Sequence, residues 1–151
     1  MAILSSVGTL LAVVQADPAT NDAAGFGALT NFENAGCLST FPPMTGTRDV
    51  ASYDCLDTGE EIKVLDILRG GQGDIQFAYD EDDVGKSIIE AAAYSNQNST
   101  NILTLRMTIP NGTIYYRKGL VTSFAPNAAV GQVIQATASM DFMGTHVKVP
   151  A

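Results

Sequence analysis

The sequence has no tryptophan, a single histidine and few charged residues, and these absences exclude several classes of function. Charged residues make up 16% of the chain, whereas an average soluble domain has about 25%. His146 has no second histidine or cysteine near it, and no serine lies in a nucleophile-elbow motif. No acid–base or nucleophilic constellation is therefore recognisable, and we expect neither enzymatic activity nor a cofactor.

Cysteines and basic residues are also scarce. Cys37 and Cys55 are the only cysteines, and they lack the CxxC spacing and the nearby histidine of a zinc site. Free thiols are expected in a reducing compartment, while one disulfide is the alternative in an oxidising one. No run of five basic residues occurs, so the chain lacks the electrostatic footprint of a nucleic-acid-binding protein.

The N-terminal residues 1–16 are small and apolar, and they end in a Val-Gln-Ala sequence that imitates a signal-peptidase site. No lysine or arginine precedes this site, and Ser5, Ser6 and Gly8 interrupt the apolar run. The run is too short to span a bilayer. We interpret residues 9–15 as a first strand, with a cleaved signal peptide as the alternative.

The length and charge distribution fit one domain with an uneven surface. The 151 residues carry a net charge of −8, and fifteen of the sixteen acidic residues lie in residues 1–90. Residues 91–151 carry one acidic and four basic residues. An acidic protein can still handle DNA if its task is to let DNA pass without sticking.

Residues 102–143 show period-two alternation, which predicts strands buried on one side. The first strand would bury Leu103, Leu105, Met107 and Ile109, and the last would bury Ile134, Ala136, Ala138, Met140 and Phe142. A Pro-Asn-Gly turn at residues 110–112 and a softer break at residues 125–127 separate the segments. Nothing in this stretch suggests a reaction centre.

The preceding part of the chain predicts further strands around a long loop. The predicted strands are residues 26–32 with those just past them, residues 62–68 and residues 74–79. Residues 40–61 are polar, acidic and interrupted by prolines at one end, apart from a possible short strand at residues 50–53. A glycine-rich segment at residues 70–73 precedes a strand instead of a helix, so a turn is favoured over a phosphate-binding loop.

One helix is predicted after the acidic residues 80–83, where Asp82 or Asp83 would cap it. Its apolar stripe would be Val84, Ile88, Ala91 and Ala92, with Lys86 and Glu90 as an outward pair. The acidic cluster lacks the alternating ligands and closing glutamate of a calcium loop, which leaves a cation site as the weaker alternative. The element order predicts a mainly β fold, either a sandwich or a partly open barrel with one α-helix.

Three motifs in the C-terminal half carry a resemblance to a known family. They are LRMTIPNGT at residues 105–113, RKGLVTS at residues 117–123 and VIQATASM at residues 133–140, and GDIQF at residues 73–77 precedes them. In this order and spacing, the chain resembles the major tail tube proteins of long-tailed (siphovirus) bacteriophages, specifically the N-terminal domain of the lambda-type members. Residues before 73 match only loosely.

The resemblance implies the fold shared by phage tail tubes and the type VI secretion tube. Residues 1–151 would form one tail tube domain, without the C-terminal immunoglobulin-like domain of some relatives. The subunits would form stacked rings, usually of six in that family, around a tape measure protein, with tail terminator and baseplate proteins as further partners. DNA would pass through during ejection without specific binding, and no membrane span is expected. The protein would belong to the virion tail and assemble in the host bacterial cytoplasm.

The resemblance also suggests where assembly contacts lie. The long loop at residues 40–61 would contact the next ring, and its candidate residues are Phe41, Met44, Arg48, Asp49, Tyr53, Asp57 and Glu60. The polar face of the last strand would line the lumen, with Gln135, Thr137, Ser139 and Asp141 as candidates. Residues 1–7 and 145–151 fall outside the periodic segments and would be ordered by neighbouring subunits.

A secreted β-sandwich binding module, for example one that binds glycans, is the alternative function. It would explain the apolar N-terminus and the low charge. The lack of tryptophan and of an exposed aromatic cluster argues against sugar stacking.

Overall fold

The computed structural model describes residues 3, 5, 7–43, 46–94 and 102–150. The secondary structure of these residues is mostly strand. The strands are β1 (Leu10–Val14), β2 (Glu33–Ala35), β3 (Leu38–Thr40), β4 (Thr47–Cys55), β5 (Glu60–Arg69), β6 (Gln72–Ala78), β7 (Ile102–Thr108), β8 (Ile114–Asn127) and β9 (Gln135–Val149). The helices are α1 (Ala23–Gly27) and α2 (Val84–Tyr94).

Seven strands form one antiparallel sheet in the order β2-β1-β7-β8-β9-β6-β3. The long strands β8 and β9 occupy its centre and pair over most of their length, from Asn127 with Gln135 to Ile114 with Val149. The three-residue strands β2 and β3 form the edges. Strands β4 and β5 pair only with each other and form a separate two-stranded sheet.

Helix α2 covers one face of the large sheet and closes the core. Ile89 and Ala92 of α2 are fully buried against side chains from the strands. The buried apolar cluster comprises Leu11, Val13, Ala35, Ile75, Phe77, Leu103, Leu105, Val121, Phe124, Ala136, Ala138, Met140 and Phe142 besides these two. The alternation predicted for β7 and β9 is confirmed for Leu103, Leu105 and the even-numbered residues 136–142, which belong to this core. The predicted burial of Ile134 is wrong, because Ile134 precedes β9 and is 47% exposed.

Residues 16–32, including α1, cover part of the opposite face. Asp22 caps α1 by accepting a 2.7 Å hydrogen bond from the Gly25 amide, and this places Phe26 in a stacked contact with Tyr116, 5.3 Å between ring centroids. The Thr104 hydroxyl is buried and donates to the Ala16 carbonyl at 2.7 Å. The part of this face formed by β6 and the first half of β9 remains partly exposed to solvent.

Several predicted elements need correction in the N-terminal two thirds. Residues 26–32 do not form a strand, because residues 23–27 form the capped helix α1. The predicted loop at residues 40–61 contains all of β4 and the start of β5, so most of it is hairpin. The fold therefore has a second, short helix that the sequence pattern did not indicate. The strand predicted at residues 62–68 is part of β5, and it pairs with β4 inside the predicted loop.

Helix α2 lies where predicted, but its buried face is shifted. Asp83 is the cap, since its carboxylate accepts from the Gly85 and Lys86 amides at 3.1 and 3.4 Å. Val84 is exposed and Ile89 is buried. Lys86, predicted to point outward, is buried, and its ammonium donates to the Ala78 carbonyl at 2.7 Å.

The C-terminal strands are longer than predicted. Strand β8 continues through the expected break at residues 125–127. Strand β9 continues to Val149, and residues 147–149 pair with β8 of the same subunit. The prediction that residues 145–151 are ordered mainly by neighbouring subunits is therefore wrong for residues 147–149. The predicted turn at residues 110–112 is present, with Gly112 at φ 93° and the Asn111 side chain accepting from the Thr113 amide.

Candidate assembly surfaces

The hairpin of β4 and β5, residues 47–69, is here called the arm. It extends from the large sheet as an independent ribbon, and nearly every side chain along it is exposed. Its turn is built by Asp57, which accepts a 3.0 Å hydrogen bond from the Thr58 amide, and by Gly59 at φ 67°. The alternative of an irregular loop is excluded by the continuous strand pairing between residues 50–55 and 60–65.

One face of the arm is apolar near its middle. Tyr53 pairs with Ile62, and Ala51 pairs with Val64, which places these four side chains on the same face. Tyr53 is 74% exposed and Val64 is 60% exposed. A two-stranded hairpin is marginally stable by itself in water, and exposed apolar patches mark interaction sites. This face is therefore a candidate contact surface.

The opposite face of the arm divides into an apolar part near the sheet and a polar part near the turn. Val50 pairs with Leu65, while Ser52 pairs with Lys63. The turn region carries only negative charge, because residues 54–61 contain four acidic residues and no basic one. The arm thus presents apolar surface along its length and an acidic end.

Polar contacts join the two strands of the arm at its base and fix that base to the large sheet. Arg69 and Asp49 form an ion pair across the two strands with 2.7 Å between Nε and Oδ2. Arg117 of β8 is fully buried and donates hydrogen bonds to the carbonyls of Pro43 and Gly70, which flank the arm on either side. Burial lowers the pKa of the Arg117 guanidinium from its usual value, but an arginine stays charged at neutral pH.

The seven residues predicted for inter-ring contact are not all on the arm. Five of them lie there: Arg48, Asp49, Tyr53, Asp57 and Glu60. Phe41 lies before the arm and packs, half-buried, against the core of the subunit. Met44 lies outside the described residues.

The four residues predicted for the lumen lie together on the open face of β9. Gln135 is exposed, and Thr137, Ser139 and Asp141 are half-buried. The neighbouring strand β6 adds Gln72, Asp74 and Gln76 to the same face, opposite Asp141, Ser139 and Thr137 respectively. The Ser139 hydroxyl lies 2.9 Å from Asp74 Oδ1. These seven side chains form a neutral-to-acidic polar surface, here called the open face.

The described residues offer little that could support chemistry or metal binding. An open cleft of about 590 Å³ lies between the base of the arm and β9, and the ionisable side chains in its lining are Arg69 and Asp141. No group of three or more metal-ligating side chains occurs in the described ranges. Within the same residues, no helix is long and apolar enough to cross a membrane. Cys37 and Cys55 are both free.

Sequence reasoning missed the apolar residues of the arm and the role of Arg117. The sequence pattern indicates only ordinary strand or loop residues at five positions that the structure exposes: Val50, Ile62, Val64, Leu65 and Ile67. The sequence does contain a signal for the arm at residues 62–68, where Lys63 and Asp66 alternate with apolar side chains. Nothing in the sequence marks Arg117 as buried.

Solved structures share the fold of this chain at low sequence identity. A chain of the anti-feeding prophage baseplate, a six-fold symmetrised cryo-EM structure, has a TM-score of 0.67 and 8% identity over 99% of this chain and 97% of its own length. A chain of the anti-feeding prophage tube-terminating cap has a TM-score of 0.60 and 11% identity over 100% and 93%. A chain of the tail of an empty gene transfer agent particle, with C6 symmetry, has a TM-score of 0.57 and 12% identity over 93% and 95%.

No protein-family profile and no curated protein sequence matches the chain. The structural matches cover nearly the whole chain, so the likeness concerns the complete arrangement of sheet, helix and arm. The chain therefore has the fold of tube-like subunits in phage-tail-like particles. The mainly β fold class predicted from the sequence is confirmed.

Proposed function

We propose that this protein is a structural subunit of a bacteriophage tail tube, in which copies form rings and the rings stack. The observation that carries the proposal is the arm, whose apolar residues are exposed in the isolated subunit on a fold shared with tail and baseplate proteins. An exposed two-stranded ribbon gains stability only when another surface covers it. Neighbouring copies of the same chain supply that surface.

Ring formation is supported by the edges of the large sheet. The edge strands β2 and β3 have three residues each, and each pairs with a strand of the large sheet on one side only. Unpaired strand edges are templates for another chain, and joining them around a ring closes a large barrel. Six subunits per ring agree with the symmetry of the particles that contain the similar chains.

The arm would provide the contact between successive rings. Its exposed middle carries the apolar face formed around Tyr53 and Ile62, and its acidic end can pair with basic residues of a neighbour. This assigns ring stacking to residues 47–69, a segment that lies further toward the C-terminus than the loop at residues 40–61 predicted from the sequence.

The open face would line the lumen. DNA carries dense negative charge, and a wall that neutralised several phosphates would hold it non-specifically at roughly 10⁻⁴–10⁻⁶ M per site. The open face contains Asp74 and Asp141 and no basic residue among its seven members. Such a surface repels the phosphate backbone and lets the genome slide.

The remaining parts of the proposal follow from the tail assignment. The tube would assemble in the cytoplasm of the bacterial host around a tape measure protein, and terminator and baseplate proteins would bind its two ends. Its place would be the virion tail, and the siphovirus assignment rests on the sequence motifs between residues 73 and 140. A tube subunit has a structural role and no catalytic one.

Electron microscopy of the purified protein tests this proposal. We expect rings or tubes by negative staining, and only short particles after residues 47–69 are replaced by a Gly-Ser linker. Loop length costs little entropy, so the shortened subunit should fold, as judged by circular dichroism. Long tubes from the shortened protein would contradict the stacking role of the arm, and a wild-type protein that stays monomeric at all concentrations would contradict the tube assignment.

The secreted binding module is not favoured by the fold. Strand β1 lies between β2 and β7, and its Leu11 and Val13 are fully buried. Cleavage after Ala16 would remove this strand from the sheet. The mass of the purified protein should therefore include residues 9–16.

A further inference from the structure

Arg117 is a fully buried cation with an unusual set of partners. Its two terminal nitrogens donate to backbone carbonyls, at 3.4 Å to Pro43 and at shorter range to Gly70. The guanidinium also lies 4.3 Å from the centre of the Phe142 ring. Within the described part of the chain, no carboxylate forms an ion pair with it, and its Nε has no hydrogen-bond partner.

Such an arrangement is costly if Arg117 only fills space. Taking a guanidinium out of water without a counter-charge costs several kcal/mol, and a methionine of similar length would fill the same volume without that cost. The presence of a cation at this position is therefore explained by the two carbonyl groups that it binds.

The two carbonyls belong to the two chain segments that connect the arm to the subunit. Pro43 precedes β4, and Gly70 directly follows β5. A guanidinium presents several N–H groups in a rigid plane, so it can bind two carbonyls at once. Gly70 has no room for a side chain, because an added Cβ would collide with the Phe142 carbonyl. The base of the arm is thus pressed against β8 and β9 at this point.

We propose that Arg117 is a positioning residue that fixes the direction of the arm relative to the large sheet. It joins the segment that precedes β4 and the segment that follows β5 to one point on β8. The fixed direction exists in the isolated subunit. For assembly, a fixed direction means that the arm already points toward the next ring before the subunit binds. This consequence rests on the proposed function.

The two native cysteines allow a direct measurement. Cys37 is exposed on the main body, between β2 and β3, and Cys55 ends β4 next to the turn of the arm. Both are free, so both accept a nitroxide label without any substitution. Pulsed electron paramagnetic resonance on the unassembled, full-length subunit then gives the distribution of distances between arm and body.

Two variants and a matched control separate an effect on the direction of the arm from an effect on the folding of the subunit. Arg117→Met keeps the length and removes the hydrogen bonds, and Arg117→Lys keeps the charge but not the planar pair of donors. Arg106→Met is the control, because Arg106 is half-buried on neighbouring β7 and stacks 4.5 Å from the Phe32 ring, away from the arm.

We expect one narrow distance maximum for wild type and for Arg106→Met, and a broad distribution for Arg117→Met. Should Arg117→Met fail to fold, Arg117→Lys decides, and it is expected to be broad as well. A broad distribution in wild type, or a narrow one in every folded Arg117 variant, overturns the proposal. Because no tube has to form in this experiment, its outcome is independent of the stacking test above.

Discussion

Two buried cations, Lys86 and Arg117, hold backbone carbonyls in this subunit. Lys86 donates to Ala78 at the end of β6 and lies 3.8 Å from the Asp83 carboxylate. Arg117 donates to the segments on either side of the arm. Removing Lys86 leaves the half-buried Ala78 carbonyl without this donor, and removing Arg117 does the same to the buried Gly70 carbonyl. Polar groups left unpaired away from water cost more than the average hydrogen bond contributes. These residues therefore fix connections between elements.

Replacing Lys86 by methionine should lower the free energy of unfolding by about 1–3 kcal/mol, because the Ala78 carbonyl loses a charged donor. Urea unfolding followed by circular dichroism measures this change. Lys63→Met is the matched control, since Lys63 is exposed on the arm, and an exposed substitution usually changes stability by less than about 0.5 kcal/mol. Equal midpoints for both variants would show that the Lys86 contact adds nothing.

A second prediction concerns the dependence of stability on pH at Asp22. The Gly25 amide, followed by the Thr20 hydroxyl, holds the pKa of the Asp22 carboxyl below its usual value. The unfolded chain thus takes up a proton at this position more readily than the folded one. The stabilising contribution is complete above the unfolded pKa of about 3.9 and is lost as the pH falls through the folded pKa.

Asp22→Asn tests this expectation, because asparagine also caps helices but does not ionise. The fall in melting temperature between pH 7 and strongly acidic solution should be smaller in Asp22→Asn than in wild type. An NMR titration of the Asp22 carboxyl in wild type provides the independent readout. An unshifted Asp22 titration together with equal acid sensitivity would refute the predicted role of the cap.

At the scale of elements, the arm makes the sharpest prediction. Tyr53→Asp or Ile62→Asp introduces a charge into its apolar face, and we expect both to prevent tube growth because the charge would be buried at the contact. Folding of the subunit should be unaffected, since both side chains are exposed and exposed substitutions change stability by less than about 0.5 kcal/mol.

Ser52→Asp is the control for these variants, because Ser52 is next to Tyr53 in sequence but pairs with Lys63 on the opposite face of the arm. Sedimentation velocity and negative-stain microscopy compare the three proteins at equal concentration. If the Tyr53→Asp variant formed tubes of wild-type length, the apolar face would not be part of the stacking contact.

The elements that sequence predicted well are those with one buried face. Residues 103–107 and 136–142 alternate cleanly because the core of the subunit covers one side of each strand. The arm has no covered side in the subunit, so its apolar residues lie on one face at Tyr53 and on the other at Val50. No single period fits such a ribbon, and residues 40–61 therefore resembled a loop.

The helices show two further limits of pattern reasoning. The sequence pattern predicts a strand at Phe26, whereas the structure has the short helix α1 there. This helix depends on the Asp22 cap and on the stacking of Phe26 on Tyr116, a residue distant in sequence, so a local pattern does not reveal it. In α2, Gly85 faces the backbone of Asn34, where an added Cβ would collide. This close approach turns Ile89 inward and rotates the buried face away from the stripe that hydrophobicity suggested.

At the scale of the whole molecule, the open face predicts how the tube treats DNA. Gln135→Lys together with Thr137→Lys should permit assembly, because neither side chain is fully buried, but it should slow genome ejection. The delay should increase at low salt, where phosphate contacts are strongest. Ejection kinetics followed by dye entry measure this effect.

Gln135→Glu with Thr137→Glu is the control of opposite charge, and it should eject DNA at the wild-type rate. Failure of the lysine variant to assemble, or normal ejection from it at every salt concentration, would mean that this face does not line the channel. The position of the candidate residues on one exposed surface was predictable from alternation in β9, whereas the contribution of β6 depended on a strand pairing that the sequence does not reveal.

The strand pairing also determines the order in which elements can pair during synthesis, because the chain emerges from the ribosome with its N-terminus first. Strands β4 and β5 adjoin in sequence, so the arm closes early, since contacts between near residues form before distant ones. Its anchor, Arg117, lies on β8 and is synthesised later, and β1, which pairs with β2 on one side, lacks its second neighbour until β7 is synthesised. An incomplete chain thus carries an arm without a fixed direction. If the arm must be aimed before it can bind, polymerisation starts only from finished subunits, and unfinished chains are kept out of the growing tube.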